Sequence, residues 1–260
     1  MQLRPQERKL QQRFESGLKN ALLLGAGGGV GFLATASTVQ LLSMVLRLPA
    51  STMRGTVFGT LGIASSCVAA VYSADCAQKL AMRDPRDVFG RDDWERLEGS
   101  IAAVITGGIA FALLGGRARS LLASEYILPG AFSMKKSALP TGTLYADTRE
   151  KGAIAFAGRL FGCHTCGDRK AKDYIADHMP PNKFAKKANA RWYRRIFKGR
   201  LDVKQHFFPQ CYSCSQVQSR AVNMETARPF KLHLAQLRLY HLTGVFIGWW
   251  WFWSWLPMLD

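Results

Sequence analysis

The chain has 260 residues, and its 35 Lys and Arg against 18 Asp and Glu give it a formal net charge of +17. Hydrophobic residues nevertheless make up 48% of the sequence, which excludes an intrinsically disordered protein. The apolar residues are gathered into blocks without charged side chains, and dense charge separates one block from the next. This segregation is typical of membrane proteins.

The chain begins with a basic arm, residues 1–19, followed by an apolar block at residues 20–46. The arm is compatible with a solvated segment, with an amphipathic helix on a membrane surface and with organelle targeting. The block is long enough for a helix that crosses the ~30 Å hydrocarbon core of a bilayer. A second block at residues 55–74 predicts another span, and the short connection between the two makes them antiparallel neighbours.

Two further apolar blocks follow a charged loop. Residues 99–116 predict a third span, whereas residues 120–134 are interrupted by Glu125 and Pro129. We therefore expect three or four membrane-spanning helices within residues 20–134. Glycine recurs in the first three blocks at spacings that allow helix backbones to approach closely in lipid. We predict helix-packing roles for Gly25, Gly29, Gly55, Gly59, Gly108 and Gly116.

The C-terminal segment, residues 239–260, is apolar and rich in tryptophan. Tryptophan is favoured at the lipid headgroup level, where the ring is apolar and the indole N–H stays hydrated. The segment therefore predicts a C-terminal span, and the alternative is a packed aromatic core. The predicted membrane anchors are Trp249, Trp250, Trp251, Trp253 and Trp255.

One stretch of the first half resembles a known family signature, carried by Ala69, Tyr72, Arg83, Asp87 and Gly99. Their spacing resembles that of the preprotein and amino acid transporter family, which includes Tim-type inner-membrane translocase channels and relatives among the accessory subunits of respiratory complex I. The resemblance covers residues 20–130. It implies a mitochondrial inner-membrane location and a structural ion pair between Arg83 and Asp87 at the membrane edge.

Residues 135–238 are polar and basic, and they predict a small aqueous domain that contains two Cys-x-x-Cys pairs. The pairs are formed by Cys163, Cys166, Cys211 and Cys214. Two such pairs can supply the four thiolates of a tetrahedral zinc site, which would be structural because no coordination position is left open. Two disulfides are the alternative in an oxidising compartment. His164 lies within the first pair, but four cysteines make it unnecessary as a ligand.

The stretch between the pairs, residues 167–204, carries twelve Lys and Arg interleaved with aromatic residues. Such a surface suits anionic lipid such as cardiolipin, acidic flanks of neighbouring subunits, or nucleic acid. The predicted membrane tethers favour lipid and membrane-embedded subunits over nucleic acid. The predicted basic surface consists of Lys186, Lys187, Arg191, Arg194, Arg195 and Lys198.

The sequence contains no phosphate-binding loop, nucleophile elbow or paired metal-binding histidines, so we expect neither an enzyme nor a small-molecule substrate. It predicts an all-α membrane protein with three or four glycine-rich transmembrane helices, a zinc-stapled basic domain and a tryptophan-rich C-terminal helix. The expected function is that of a structural accessory subunit of a mitochondrial respiratory complex, most consistent with complex I. A component of a preprotein translocase and a membrane-tethered nucleic-acid-binding protein are the alternatives.

Overall fold

The computed structural model describes residues 5–82, 93–197, 201–224, 229–233 and 236–255. The described chain is mostly helical, with short strands in its second half. In chain order the elements are α1 (Pro5–Val45), α2 (Met53–Met82), α3 (Asp93–Leu113), β1 (Ser124–Glu125), β2 (Leu139–Thr141), α4 (Thr148–Phe161), β3 (Tyr174–Met179), α5 (Asn182–Asn189), α6 (Trp192–Ile196), β4 (Gln205–Cys211), α7 (Tyr212–Met224), β5 (Phe230–Lys231) and α8 (Thr243–Trp255).

The chain divides into two compact units that are discontinuous in sequence. Unit 1 comprises residues 1–39, 60–118 and 236–260, and unit 2 comprises residues 40–59 and 119–235. Because the divisions fall within α1 and α2, each of these long helices contributes residues to both units.

Two of the described helices are long and apolar enough to cross a membrane, at Phe14–Val45 in α1 and Met53–Leu80 in α2. This confirms the prediction of two long apolar helices in the first part of the chain. The helix α1 begins at Pro5, so the basic arm continues into the first apolar block without a break. The apolar part of α3 is shorter, at Glu98–Leu113, and α8 is described only as far as Trp255. The third and C-terminal spans therefore stay predictions.

Within unit 1, glycine allows three helices to pack closely. A Cβ added to Gly27 of α1 would lie 2.9 Å from Ala77 Cβ and from the Ser73 carbonyl oxygen of α2. A Cβ on Gly244 or Gly248 of α8 would collide with the α1 carbonyl oxygens of Gly28 and Leu24, respectively. The sequence analysis missed this Gly-x-x-x-Gly pair in α8, although its spacing is a known signal for close helix crossing.

The glycines predicted to pack lie in different surroundings. Gly25 and Gly29 face α8, where an added Cβ would meet Trp249 and Val245. In unit 2, Gly55 lies against the carbonyl oxygen of Pro49, and Gly59 is buried. Gly116 lies beyond the end of α3, and the atoms nearest to a Cβ there would be those of the Phe111 ring, whereas a Cβ on Gly108 would meet nothing within 4 Å. In the described chain, neither of these last two lies at a helix crossing.

Unit 2 contains a three-stranded antiparallel sheet in the order β2-β4-β3, and β1 pairs with β5 in a separate antiparallel ribbon. The prediction of an all-α protein is therefore wrong for this unit. The antiparallel strands β3 and β4 pair Tyr174 with Cys211 and Met179 with His206, so they are in register over six residue pairs. A capping box begins α4, because the Glu150 N–H donates to Asp147 Oδ1 at 2.7 Å and Glu150 Oε2 accepts the Asp147 N–H at 2.9 Å.

Residues 120–134 do not form a fourth spanning helix. They contain the end of a 3₁₀ turn, the two residues of β1 and irregular backbone, and all side chains from Ser120 to Ile127 are buried. The segment is apolar because it belongs to the interior of unit 2, and its backbone groups bond to neighbouring loops in place of helical partners. The domain boundary predicted after residue 134 thus differs from the unit boundary after Ala118.

Candidate metal centre

The four predicted cysteines meet at one point in unit 2. Their Sγ atoms all lie within 4.8 Å of one another, and every one of the four side chains is buried. Cys166 Sγ and Cys211 Sγ are 3.8 Å apart. Four sulfur ligands at ~2.3 Å from a tetrahedral Zn²⁺ ion lie ~3.8 Å from one another. The four sulfurs are therefore close enough together to share one metal ion.

The first pair forms in a tight turn after α4. Gly162 ends the helix at φ 85°, and a Cβ there would lie 2.6 Å from the carbonyl oxygen of Gly167. The Gly167 N–H donates to the Cys163 carbonyl at 2.6 Å, and the Cys163 N–H donates to the Asp168 carbonyl at 2.8 Å. These bonds fold the chain back on itself, so that both sulfurs of the pair point to the same side.

The second pair straddles the junction between β4 and α7. Cys211 is the last residue of the strand, and Cys214 lies in the first turn of the helix. Unpaired backbone N–H groups give a helix N-terminus partial positive charge, which lowers the energy of a nearby thiolate. Cys211 Sγ also lies 3.3 Å from Ser213 Oγ. The second pair is therefore placed where negative sulfur is stabilised.

A half-buried cation lies beside the cluster and opposes its negative charge. Lys231 Nζ on β5 donates to Cys214 Sγ at 3.6 Å. Burial alone would lower the pKa of Lys231, but attraction by Cys214 and Cys166 outweighs it and raises that pKa. Four thiolates around a divalent cation carry a net charge of about −2, so one ammonium group beside them reduces the cost of burying the site.

The protons of the metal-free cluster are unevenly shared. Burial raises the pKa of Cys163, whereas hydrogen bonding by Cys163 lowers the pKa of Cys166 to about 7. At least one sulfur thus loses its proton near neutral pH, which is the form that binds a metal.

His164 is turned away from the cluster. Its Nδ1 accepts the backbone N–H of Gly130 at 3.2 Å, so the ring proton is on Nε2, which lies 3.5 Å from Asp177 Oδ2. Gln218 Nε2 of α7 donates to Asp177 Oδ1 at 2.7 Å. Gln210 Nε2 in turn donates to Gln218 Oε1 at 2.6 Å. This polar network fixes α7 against the paired strands β3 and β4. Of its members, only His164 was singled out from the sequence.

The misassigned segment at residues 120–134 covers the first pair. Ser124 Oγ donates to the Thr165 carbonyl at 2.5 Å and accepts the Ala131 N–H at 2.8 Å. A Cβ on Gly130 would lie 2.5 Å from the carbonyl oxygen of His164. Tyr126 packs directly on the four cysteines, and its burial raises its pKa. This cover excludes water from the cluster.

Within the described residues, all cysteines are free and none is at disulfide distance from another. The same residues contain a single group of His, Cys, Asp or Glu side chains close enough to share a metal, and it is the four-cysteine cluster. The donor set, the sulfur spacing, the adjacent ammonium group and the burial all fit a metal ion better than they fit two disulfides.

The other predicted site residues lie apart from this cluster. Lys186, Lys187 and Arg191 are exposed and Arg194 is half-buried. Arg195 and Trp255 lie in helices, but their side chains are outside the described part of the structure. The predicted site residues Lys198, Arg83 and Asp87 lie entirely outside the described residues. Trp249, Trp250 and Trp253 are exposed on α8, whereas Trp251 is buried, and a Cβ on Gly99 would lie 2.8 Å from its ring. Trp251 is thus a packing residue and not an interfacial anchor.

Unit 2 also contains a cavity of about 620 Å³ between the β1 segment and α5. Apolar side chains form most of its wall, with the buried Glu125 and the cations Lys187 and Arg191 among the lining residues.

Comparison with known proteins found no family model, no curated protein and no solved structure that matches the chain.

Proposed function

We propose that the protein is a membrane-embedded, non-catalytic subunit of a larger assembly, with a metal-stabilised domain for binding neighbouring subunits. The supporting observation is the exposure of its two long apolar helices. Only 44% and 39% of the residues in their most apolar stretches are buried, whereas the core helix of a soluble protein is mostly buried. Val30 and Leu61 are 68% and 61% exposed. Side chains of this kind on helices of spanning length suit lipid or other membrane helices.

The polar groups of α1 and α2 favour a structural role over a water-filled path. The hydroxyls of Ser37 and Ser65 donate to the carbonyls four residues earlier in their own helices, at 2.6 and 2.9 Å. Gln40 Oε1 accepts the N–H of His233, and Ser43 Oγ accepts the N–H of Ala123. These groups are used within the protein, whereas a preprotein path needs polar groups that face water.

The metal centre supports a structural assignment as well. Zinc is the metal that four buried thiolates favour, and a site closed by four cysteines leaves no position for a substrate or an activated water. When bound, the ion would hold the end of α4 and the β4–α7 junction together through Cys163, Cys166, Cys211 and Cys214. No catalytic step follows from such a site, so we propose that the protein is not an enzyme.

The resemblance of residues 20–130 to the translocase and complex I accessory families makes a mitochondrial inner-membrane respiratory complex the first candidate assembly. The test is native separation of the cell's membranes in mild detergent, with mass spectrometry of each band that contains this chain. Fixed stoichiometry with respiratory subunits supports the proposal. Co-migration with translocase subunits supports the alternative, and a chain that migrates alone, or that alkaline carbonate extracts from membranes, overturns it.

A matched pair of variants links the metal centre to assembly. We expect Cys163→Ser to lose the metal and leave the complex, because a structural site with three ligands loses much of its folding energy. Cys76→Ser is the control, since Cys76 is exposed and outside the cluster. Equal assembly of both variants would contradict a role for the domain in subunit binding.

A further inference from the structure

The segment between α5 and β4 exposes an unusual number of large apolar side chains for an aqueous domain. Trp192 is 73%, Ile196 66%, Phe197 55% and Leu201 46% exposed. Single exposed apolar residues are common on protein surfaces, whereas four large ones within ten residues of sequence make a candidate binding surface. We call these four residues the apolar tip.

The position of the apolar tip is fixed by polar contacts at its base. Asn189 Oδ1 accepts the backbone N–H of Val203 at 2.9 Å and also Arg194 Nη1 at 3.3 Å. The Asn189 side chain therefore joins the two ends of the segment. Trp192 stacks edge-on against Tyr193 with ring centroids 6.0 Å apart. These contacts tie Arg194 and Val203 to the end of α5, while the four apolar side chains stay exposed.

The sequence around the apolar tip is rich in positive charge. Between residues 182 and 203 the sequence has eight Lys and Arg and a single acidic residue, Asp202. Lys186, Lys187 and Arg191 are exposed beside the tip. Arg194 lies over the Tyr193 ring at 5.9 Å, and hydrogen bonding by Arg191 and Arg194 lowers the pKa of Tyr193.

We propose that the apolar tip inserts into the headgroup region of a bilayer containing anionic phospholipid, with the surrounding cations on the lipid phosphates. Trp and Phe are favoured at this depth, and Lys and Arg near an anionic surface are attracted to it. The proposal rests on the membrane location proposed above and names the lipid surface that unit 2 binds. Single-stranded RNA, the competing partner, stacks on aromatic rings, whereas two of the four tip residues, Ile196 and Leu201, are aliphatic and offer no stacking face.

The test uses the full chain in nanodiscs made either of phosphatidylcholine alone or of phosphatidylcholine mixed with phosphatidylglycerol. A trace phospholipid with a photoreactive group near the top of its acyl chain labels whatever is inserted, and peptide mass spectrometry locates the adducts. We expect adducts within residues 190–203 in the anionic mixture and several-fold fewer in phosphatidylcholine alone. The exposed Leu144 and Tyr145 serve as an internal reference and should stay unlabelled.

Two pairs of variants separate insertion from charge. Trp192→Ser with Ile196→Ser should remove the labelling of this segment without changing the labelling of α1 and α2. Lys186→Gln with Lys187→Gln should abolish the preference for the anionic mixture. The control pair Arg149→Gln and Lys151→Gln makes the same change in net charge on the exposed face of α4 and should leave that preference intact.

Three results overturn the proposal, and each can be distinguished from a result that refutes the membrane location. Labelling of α1 and α2 with none at residues 190–203 places the apolar tip outside the bilayer. Equal labelling in both lipid compositions removes the role of the cations. Binding of fluorescent single-stranded RNA by the full chain, lost in the Lys186 and Lys187 variant, assigns the surface to RNA. If α1 and α2 are themselves unlabelled, the membrane location is what has failed.

Discussion

Loss of one metal ligand should unfold the paired strands β3 and β4 of unit 2, and the size of the effect follows from chain topology. Cys166 and Cys211 are 45 positions apart. A cross-link that closes a loop of ~45 residues removes conformational entropy from the unfolded chain worth ~4 kcal/mol at 25 °C. Domain stabilities are typically ~5–15 kcal/mol, so Cys211→Ser removes a large share of the total.

This loss is measurable by hydrogen exchange of β3 and β4 in the detergent-solubilised protein. Because ~1.4 kcal/mol corresponds to a tenfold change in an equilibrium constant, ~4 kcal/mol predicts protection factors lower by roughly a thousandfold. Treating the wild type with a zinc chelator should produce the same loss. Cys67→Ala is the matched control, because Cys67 is also buried but lies in unit 1.

Two results would refute the reasoning about the metal. The first is a purified wild type that contains no metal by elemental analysis and keeps its protection in chelator. The second is an intact mass reduced by the hydrogens lost on forming two disulfides. A thousandfold loss in the Cys67→Ala variant at β3 and β4 would show that the effect is not specific to the cluster.

The remaining predictions concern charge, helix crossing and capping. Lys231→Met should weaken metal affinity by ~10–100-fold. Because the thiolate pKa values rise without the ammonium group, acid should release the metal from this variant at a higher pH than from the wild type or from the exposed-site control Lys136→Met. An unchanged release pH in a metal titration would contradict this. Gly248→Ala should destabilise unit 1 by ~1–3 kcal/mol, because the added methyl group overlaps α1. Gly108→Ala, the control, should be neutral or stabilising by up to ~1 kcal/mol. Thermal unfolding in detergent compares the two variants, and the reverse order of stability would refute the close crossing of α8 with α1. Asp147→Ala should lower the stability of α4 by ~1 kcal/mol, because it removes the N-terminal cap of the helix. Limited proteolysis should then cleave faster near residue 148. An unchanged cleavage rate would show that the cap contributes nothing to stability.

The parts of the structure that sequence predicts well are those encoded by local spacing. Each Cys-x-x-Cys pair places two sulfurs on one turn, so the four ligands of the candidate centre could be named before their geometry was known. The long uncharged blocks of α1 and α2 likewise predict helices, because their length alone exceeds the needs of a buried core helix. In both cases the signal lies within a short stretch of chain.

The parts that sequence missed depend on contacts between distant residues. An apolar run such as residues 120–127 has the same composition in lipid and in a protein interior, and only Glu125 and Pro129 hinted that it is not a span. The bonds from Ser124 to Thr165 and from His233 to Gln40 have no local signature. The strands were missed because the sheet is short and lies between helices within a basic stretch. The spacing of Gly244 and Gly248 does indicate a close helix crossing, but the neighbouring tryptophans favoured the interpretation as an interfacial membrane helix.

The crossing of α1 with α8 has a consequence for biosynthesis. The glycine face of α1 emerges from the ribosome early, yet Gly244 and Gly248, which cover it, are among the last described residues to be made. All of residues 119–235 are translated in between, so unit 1 stays open while unit 2 already has its complete sequence. Contacts of such long sequence separation form slowly. During that interval the glycine face of α1 lacks its α8 partner, and a ribosome stalled before residue 243 would leave that face uncovered by α8.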